Sequence, residues 1–404
     1  MYLLRIGVGA SQQTGAVVPL TANISAGQSV ESTPALTFVP TKVLGLQNLV
    51  KYAIENKKRV RCAGYRHSWS PVFSDDNEIL VSMINLKQAT ELPDPHVLLP
   101  NAAANLTNEF KTIELVAEPE PGPTTALVRV GAAVTIEEFR RWQVQLGKWA
   151  LPMDVVLGEL AEPCSPPEFQ PLRHTSLTPN PRVTIGGTNG TICHGAGRRH
   201  RTINDQVRAI AYIDATATHR LISNPAHLRA AAGAFGLLGI TTHITYELQP
   251  MSYALMNPLK LDMTLAIPPL SRADIPLALQ KTFTDTQLAT AVTDFERRVT
   301  NDFYSEWFWF AYQSTAWVNS WTTTTDPSGS RDFPNPAETF LQWVQNWLGG
   351  VLTATQLYRA IPGRWQAPLL ATSSHARPPA HAFRSRARRR RQDHAPQRAA
   401  LSSR

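Results

Sequence analysis

Arg61-Cys62-Ala63-Gly64-Tyr65-Arg66-His67-Ser68-Trp69 is the stretch that decides the fold. It ends a helix-then-strand pattern and sets glycine, arginine, histidine and serine together where the strand must turn. A second glycine-rich stretch answers it more than a hundred residues downstream: Thr184-Ile185-Gly186-Gly187-Thr188-Asn189-Gly190-Thr191-Ile192-Cys193-His194-Gly195-Ala196-Gly197. Glycine at such points permits tight turns and close approach of the main chain to a ligand. Successive backbone N–H groups also form anion-binding concavities. Two loops of this kind, each joined to a β-rich segment, can close on a pyrophosphate from both sides.

Upstream of the first loop, Val43, Leu46, Val50, Ala53 and Ile54 recur at helical spacing after Pro40-Thr41. Residues 58–63 read as a strand ending at Gly64, and 78–83 as another, giving a helix–strand–loop–strand lobe. The Pro-, Asn- and Glu-containing stretch 102–123 reads as an insertion or linker. Residues 126–130 form a strand pattern running into Gly131-Ala132. Thr135-x-x-Glu138 then makes a capping box ahead of Phe139, Trp142 and Leu146, with Gly147 as the stop. Residues 162–181 carry six prolines and read as a second surface insertion.

Beyond the second loop, 207–214 is a buried-type strand, and Ser223-Asn224-Pro225 opens a helix whose apolar end, 231–238, meets Gly239. Ile240, Thr242, Ile244, Tyr246 and Leu248 alternate as a strand. The pattern predicts an α+β protein with no internal repeat. Its expected divisions are a loose leader over 1–33, a two-lobed domain over 34–250 (lobes about 34–100 and 124–250), a second domain over 256–366, and a tail over 367–404. In the second domain, 303–318 reads as one aromatic-rich strand, with Trp307, Trp309, Phe308 and Phe310 distributed over its two faces.

The 404 residues carry a formal net charge of +8, and the segment 371–404, with nine Arg and one Asp, holds all of it. The rest of the chain is neutral, so no nucleic-acid partner is expected, and the arginine run at 388–391 reads as a solvated end. The three cysteines, Cys62, Cys164 and Cys193, make neither a disulfide framework nor a CxxC metal pair, and they fit a reducing compartment. No run reaches the roughly 18 apolar residues that span a bilayer, and the first 25 residues lack a signal-peptide core. The sequons at Asn23, Asn105 and Asn189 therefore read as chance. A nicotinamide site fails at its one candidate, Gly7-Val8-Gly9-Ala10-Ser11-Gln12, which lacks the third glycine and the following helix.

Taken in order, these motifs resemble those of the vanillyl-alcohol-oxidase, or PCMH-type, flavoproteins, and among them the sugar-lactone (D-arabinono-1,4-lactone and L-gulonolactone) and alditol oxidases. The resemblance runs over about residues 35–250. It implies FAD as cofactor, held in a two-lobed PCMH-type domain followed by a partial antiparallel-sheet substrate domain. At the position of His67 the family bonds a histidine to the 8α-methyl carbon of the flavin. Gly64, Tyr65, Arg66 and Ser68 are then the rest of the first loop. Gly186, Gly187, Thr188, Thr191, His194 and Gly195 match the family's Gly-Gly-Thr…Thr…His-Gly segment, with Thr184 opening it. Gly131 and Ala132 match a segment passing close to the cofactor, Leu151-Pro152 a Leu-Pro turn, and Gly239-Ile240 the end of the adenine-side signature.

The activity implied is oxidation of a CH–OH group of a sugar lactone or polyol, with hydride passing to flavin N5 and electrons then to O₂ or a carrier. Trp307, Trp309, Tyr312 and Trp317 are candidate sugar-stacking residues, and Glu306 a candidate partner of a substrate hydroxyl. The family's Glu-x-Arg-type strand and His-Trp-x-Lys-type ending do not occur. With the composition break after Gln366, this reads as a truncated C-terminal half. The alternative expectation is a flavin-binding but catalytically impaired homologue.

Overall fold

The computed structural model describes residues 23–24, 31–66, 68, 70–84, 108–117, 124–151, 183–193, 202–256, 259–277, 283–309, 313–328 and 355–366. Asn23–Ile24 (β1) pairs antiparallel with Glu31–Ser32 (β2). Leu36–Phe38 (β3) follows, and then the helix Val43–Glu55 (α1) turns Leu46, Leu49, Val50 and Ala53 inward at the expected spacing. Val60–Ala63 (β4) and Ile79–Ser82 (β5) complete a parallel sheet in the order β3-β5-β4. Its middle strand is wholly buried, as a parallel strand covered on both faces should be. β3 is an element the sequence pattern does not announce, being three residues long.

A larger antiparallel sheet carries the second lobe. The stretch read as a linker instead contributes a 3₁₀ turn, Glu109–Lys111, and the strand Ile113–Ala117 (β6). β6 is the edge of a sheet that continues through Ala126–Gly131 (β7), Ile240–Pro250 (β11), Val207–Ile213 (β9) and His219–Ile222 (β10). Pairing with β7, a long-range contact, sets β6 in place. Between β7 and β9 lie the helix Ile136–Leu146 (α2), the short strand Trp149–Ala150 (β8) and a short helix, Ile185–Gly190 (α3).

The capping box at the start of α2 forms as read. The Glu138 main-chain N–H donates to Thr135 Oγ1, and the Thr135 N–H donates to the Glu138 carboxylate. Gly147 ends the helix at φ 68°, in the left-handed region that suits glycine. Phe139 of α2 packs on Trp142 and on Tyr246 of β11, each at 6.1 Å between ring centroids. These rings join Val128, Val130, Ile185 and Ile244 in the main core. The helix capped by Asn224 is Pro225–Ala231 (α4). It is shorter than the apolar run predicted, because Gly233, Gly236 and Gly239 take positive φ and turn the chain away.

A second core joins the two lobes. Phe38, Leu46, Leu49 and Ile79 of the first pack with Phe110, Ala132, Ile213 and Ile240 of the second. Farther along, a separate sheet is built on Thr315–Thr324 (β15), flanked on one side by Tyr253–Met256 (β12) and Leu259–Asp262 (β13), and on the other by Tyr304–Trp309 (β14). The aromatic stretch read as one strand is therefore a hairpin, β14 and β15. The short helix Met263–Ala266 (α5) and the helix Asp285–Asn301 (α6) accompany it, and Gln356–Ala360 (α7) closes the described chain. Phe295 of α6 lies 5.1 Å from the Trp307 ring, and the buried Arg298 donates to Asp294 and to Ser320 of β15. Among the described residues no helix is long and apolar enough to cross a membrane.

Candidate functional site

β4 delivers the first loop. Gly64 follows its last residue directly, and a Cβ built there would lie 2.6 Å from Thr184 Oγ1 and 2.9 Å from its Cγ2. No side chain fits, so the first glycine segment touches the first residue of the second. Arg66 holds φ 60°, an uncommon conformation for a side-chain-bearing residue, and burial pulls its guanidinium below the ordinary arginine range. Ser68 Oγ bonds the Ser70 carbonyl and main-chain N–H. His67, the candidate flavin-linking residue, lies outside the described residues, as do Pro152, His194, Gly195 and Tyr312.

Thr184 caps α3 by accepting from the Gly187 N–H at 3.2 Å. The Gly186 N–H donates to the Ala132 carbonyl at 3.0 Å, and a Cβ on Gly186 would come within 3.0 Å of the Ala132 Cβ. Gly131 is packed as tightly: its Cβ position is 2.2 Å from the Phe110 carbonyl oxygen. Gly64, Gly131-Ala132 and Thr184 to Gly187, scattered in sequence, thus form one continuous cradle of main chain.

One expectation is corrected here. Over its described part, Thr184 to Cys193, the second segment is not an open loop offering N–H groups. The N–H groups of Gly186, Gly187, Thr188, Thr191 and Cys193 are spent on Ala132 O, Thr184 Oγ1, Thr184 O, Gly187 O and Thr188 O. The physical reason is the Thr184 cap, which nucleates a helical turn. The glycines of this segment provide room, and donation falls to other groups. Thr188 is fully buried, with Oγ1 donating to the Ile185 carbonyl, and Thr191 Oγ1 donates to Gly187 O.

The C-terminal end of α3 is stitched to the 233–239 turn by Gly233 N–H to Asn189 O and Phe235 N–H to Gly190 O. Gly239 holds φ 133° with its Cβ position 2.0 Å from the Ile213 carbonyl oxygen, and Ile240 pairs with Ile213. Ile192 and Phe235 hold φ 48° and 51°. Backbone strain in a β-branched residue marks a conformation imposed by its surroundings.

Three polar residues escaped the sequence reading. Tyr246 is fully buried with its hydroxyl lacking a hydrogen-bond partner, and burial pushes that hydroxyl above the usual phenol range. His243 is 3% exposed and its Nε2 bonds the Glu109 carbonyl at 2.9 Å, while its Nδ1 is buried without a partner. Burial, reinforced by the Arg129 charge, holds the imidazole down at about 4. Asn189 is 3% exposed and its Oδ1 is buried without a partner. Such burial also removes Asn189 as a glycosylation acceptor.

In the sheet built on β15, Glu306 accepts from the Tyr304 hydroxyl, and Tyr304 stacks on Trp321 at 3.8 Å. Strand alternation puts Glu306 and Phe308 on the face opposite Trp307 and Trp309. Trp307 is packed against α6, Trp309 is half exposed, and Trp317 lies 5.8 Å from the Lys260 Nζ. The expected aromatic cluster is therefore divided between two faces. Among the described residues no group of three His, Cys, Asp or Glu is placed to hold a metal ion.

No family model and no curated protein matches the chain. Among solved structures, cholesterol oxidase from Brevibacterium sterolicum superposes with a TM-score of 0.56 at 14% identity, over 89% of this chain and 58% of that one. A histidine-to-alanine mutant of that enzyme gives 0.54 at 13% identity, over 92% and 61%. A solvent-stable cholesterol oxidase gives 0.51 at 14% identity, over 89% and 60%. The α+β fold is shared with these proteins, and the chain spans about three fifths of their length.

Proposed function

We propose that the chain binds FAD across the cradle of Gly64, Gly131-Ala132 and Thr184 to Gly187, and serves as an FAD-dependent oxidoreductase acting on a CH–OH group. The observation that carries this reading is the contact of Gly64 with Thr184. It brings together two glycine segments that resemble the two flavin-binding segments of one family. The close approaches at Gly64, Gly131 and Gly186 hold the two segments against each other, and the unpaired Asn189 Oδ1 beside them is a polar atom without a protein partner that a ligand group could satisfy. The fold shared with proteins named as oxidases of cholesterol, an alcohol, supports the same class of chemistry.

Bound FAD supplies the hydride acceptor and the route for electrons to O₂ or a carrier. The chain supplies position and proton handling. His67 is the proposed point of covalent attachment, with Arg66 next to it as a cation suited to the pyrophosphate. In the sheet built on β15, Glu306 is the proposed base for the substrate hydroxyl. The Tyr304 hydroxyl orients its carboxylate by donating to it. The proposed substrate is a sugar lactone or polyol, whose hydroxyls match the carboxylate of Glu306 and the amide of its cross-strand neighbour Asn319.

Anaerobic mixing of the flavin-loaded protein with a panel of five- and six-carbon lactones and polyols tests the substrate class. Bleaching near 450 nm by at least one of them is expected, with Glu306→Gln slowing it at least tenfold, in line with the usual worth of a general base. Bleaching by none of them removes the lactone or polyol assignment. Retention of yellow colour in the acid precipitate tests His67 separately, and a colourless pellet removes the covalent link.

A further inference from the structure

The short helix Ile185–Gly190 poses a problem for ligand binding, because it has already used the main-chain donors that a glycine-rich segment ordinarily offers. What it leaves is one side chain. Asn189 is 3% exposed, and its Oδ1 is shielded from water with no partner. A buried amide oxygen without a hydrogen bond forfeits its desolvation free energy, and an apolar residue of the same shape would avoid that loss. Thr188 beside it illustrates the alternative, having satisfied its own hydroxyl on the Ile185 carbonyl. The Asn189 main-chain carbonyl is fixed as well, accepting from the Gly233 N–H, so the side chain is held where it is by both the helix and the 233–239 turn.

We propose that the Asn189 side-chain amide positions the bound cofactor, accepting a hydrogen bond from one of its O–H or N–H groups and replacing the main-chain contacts that α3 no longer offers. This rests on the FAD reading above. It makes Asn189 a positioning residue, whose burial is unfavourable to the empty protein and favourable to the loaded one.

That opposition gives the test. Full-length Asn189→Leu is compared with Asn189 in a His67→Ala background, which keeps FAD binding reversible whether or not the covalent link forms. Two quantities are read on apoprotein from riboflavin-starved cells: FAD affinity by quenching of flavin fluorescence, and stability without flavin by urea denaturation. The expected result is a loss of FAD affinity of about tenfold or more, the worth of one buried hydrogen bond left unmade, while the apoprotein is as stable as before or more so. Equal affinity in the two proteins overturns the proposal. So does loss of affinity in step with loss of apoprotein stability, which would mark Asn189 as structural. If the leucine protein is insoluble, Asn189→Val reads the same two quantities. Failure of the Asn189 protein itself to bind FAD overturns the underlying reading and this one together, whereas FAD binding that is indifferent to Asn189 overturns this one alone.

Discussion

Replacing Gly64 by alanine puts a methyl carbon 2.6 Å from Thr184 Oγ1 and 2.9 Å from its Cγ2, where ordinary contacts begin near 3.4 Å. Thr184 is buried and cannot swing away freely, because its Oγ1 accepts from the Gly187 N–H and caps α3. Turning the side chain loses that cap, a cost of about 1 kcal/mol, and leaving it in place costs about 1–3 kcal/mol of overpacking. Whichever response is adopted, the variant should lose about 1–3 kcal/mol, with FAD binding weakened because the two segments are forced apart. Thr184→Ala alone should lose about 1 kcal/mol through the cap. Combined, the two changes should cost at least 1 kcal/mol less than their sum, since removing Oγ1 and Cγ2 makes room for the new methyl group. Urea denaturation of the four proteins, followed by tryptophan fluorescence, reads this coupling. Additivity to within about 0.5 kcal/mol, the behaviour of independent sites, would refute the contact and with it the meeting of the two glycine segments.

Gly131→Ala should be worse than Gly64→Ala, because its methyl group would meet the Phe110 main chain at 2.2 Å, whereas Gly190→Ala meets nothing within 4 Å and should be neutral; soluble yield and urea midpoints rank them. His243 makes stability depend on pH in a defined window. Its folded value of about 4 lies below the ordinary 6.5, so the unfolded chain takes up the proton first and stability falls as pH drops from about 6.5 to 4, by about 3 kcal/mol in all. The decline should flatten in His243→Gln, and an unchanged pH profile in that variant would assign the effect elsewhere. Burial pushes the Cys62 thiol up to about 12, so it should resist alkylation at pH 8 in the native protein and react on unfolding; mass spectrometry of labelled peptides checks this.

The parts of the fold visible in the sequence are those set by neighbours along the chain. Thr135 and Glu138 form their capping box whatever the rest of the protein does, and Leu46, Val50 and Ala53 mark the buried face of α1 by spacing alone. β6 was hidden because its identity depends on β7: Ile113-Glu114-Leu115 is too short a pattern to stand out within a polar, proline-containing window. The hairpin of β14 and β15 was read as one strand because aromatic residues continue through both sides of its turn. His243 was passed over for a related reason. Alternation in β11 assigns Thr242 and Ile244 to the core face, and His243 is buried as well only because Glu109 and Phe110 cover the other face. For the proposed site, motifs picked out Gly64, Gly131 and Gly186, and in the structure each is a position where the main chain packs closely against other protein atoms. The internal use of the α3 N–H groups could not be read in advance, since it follows from the helical turn that Thr184 starts.

FAD binding is tested most directly by the flavin content of the full-length protein. Purified from cells supplied with riboflavin, digested and resolved by chromatography with absorbance and fluorescence detection, it should yield FAD in an amount equal to that of the chain. The intact protein should show an absorption band near 450 nm that survives gel filtration. A protein that circular dichroism shows to be folded, yet that leaves the column colourless after incubation with excess FAD, would contradict the central claim.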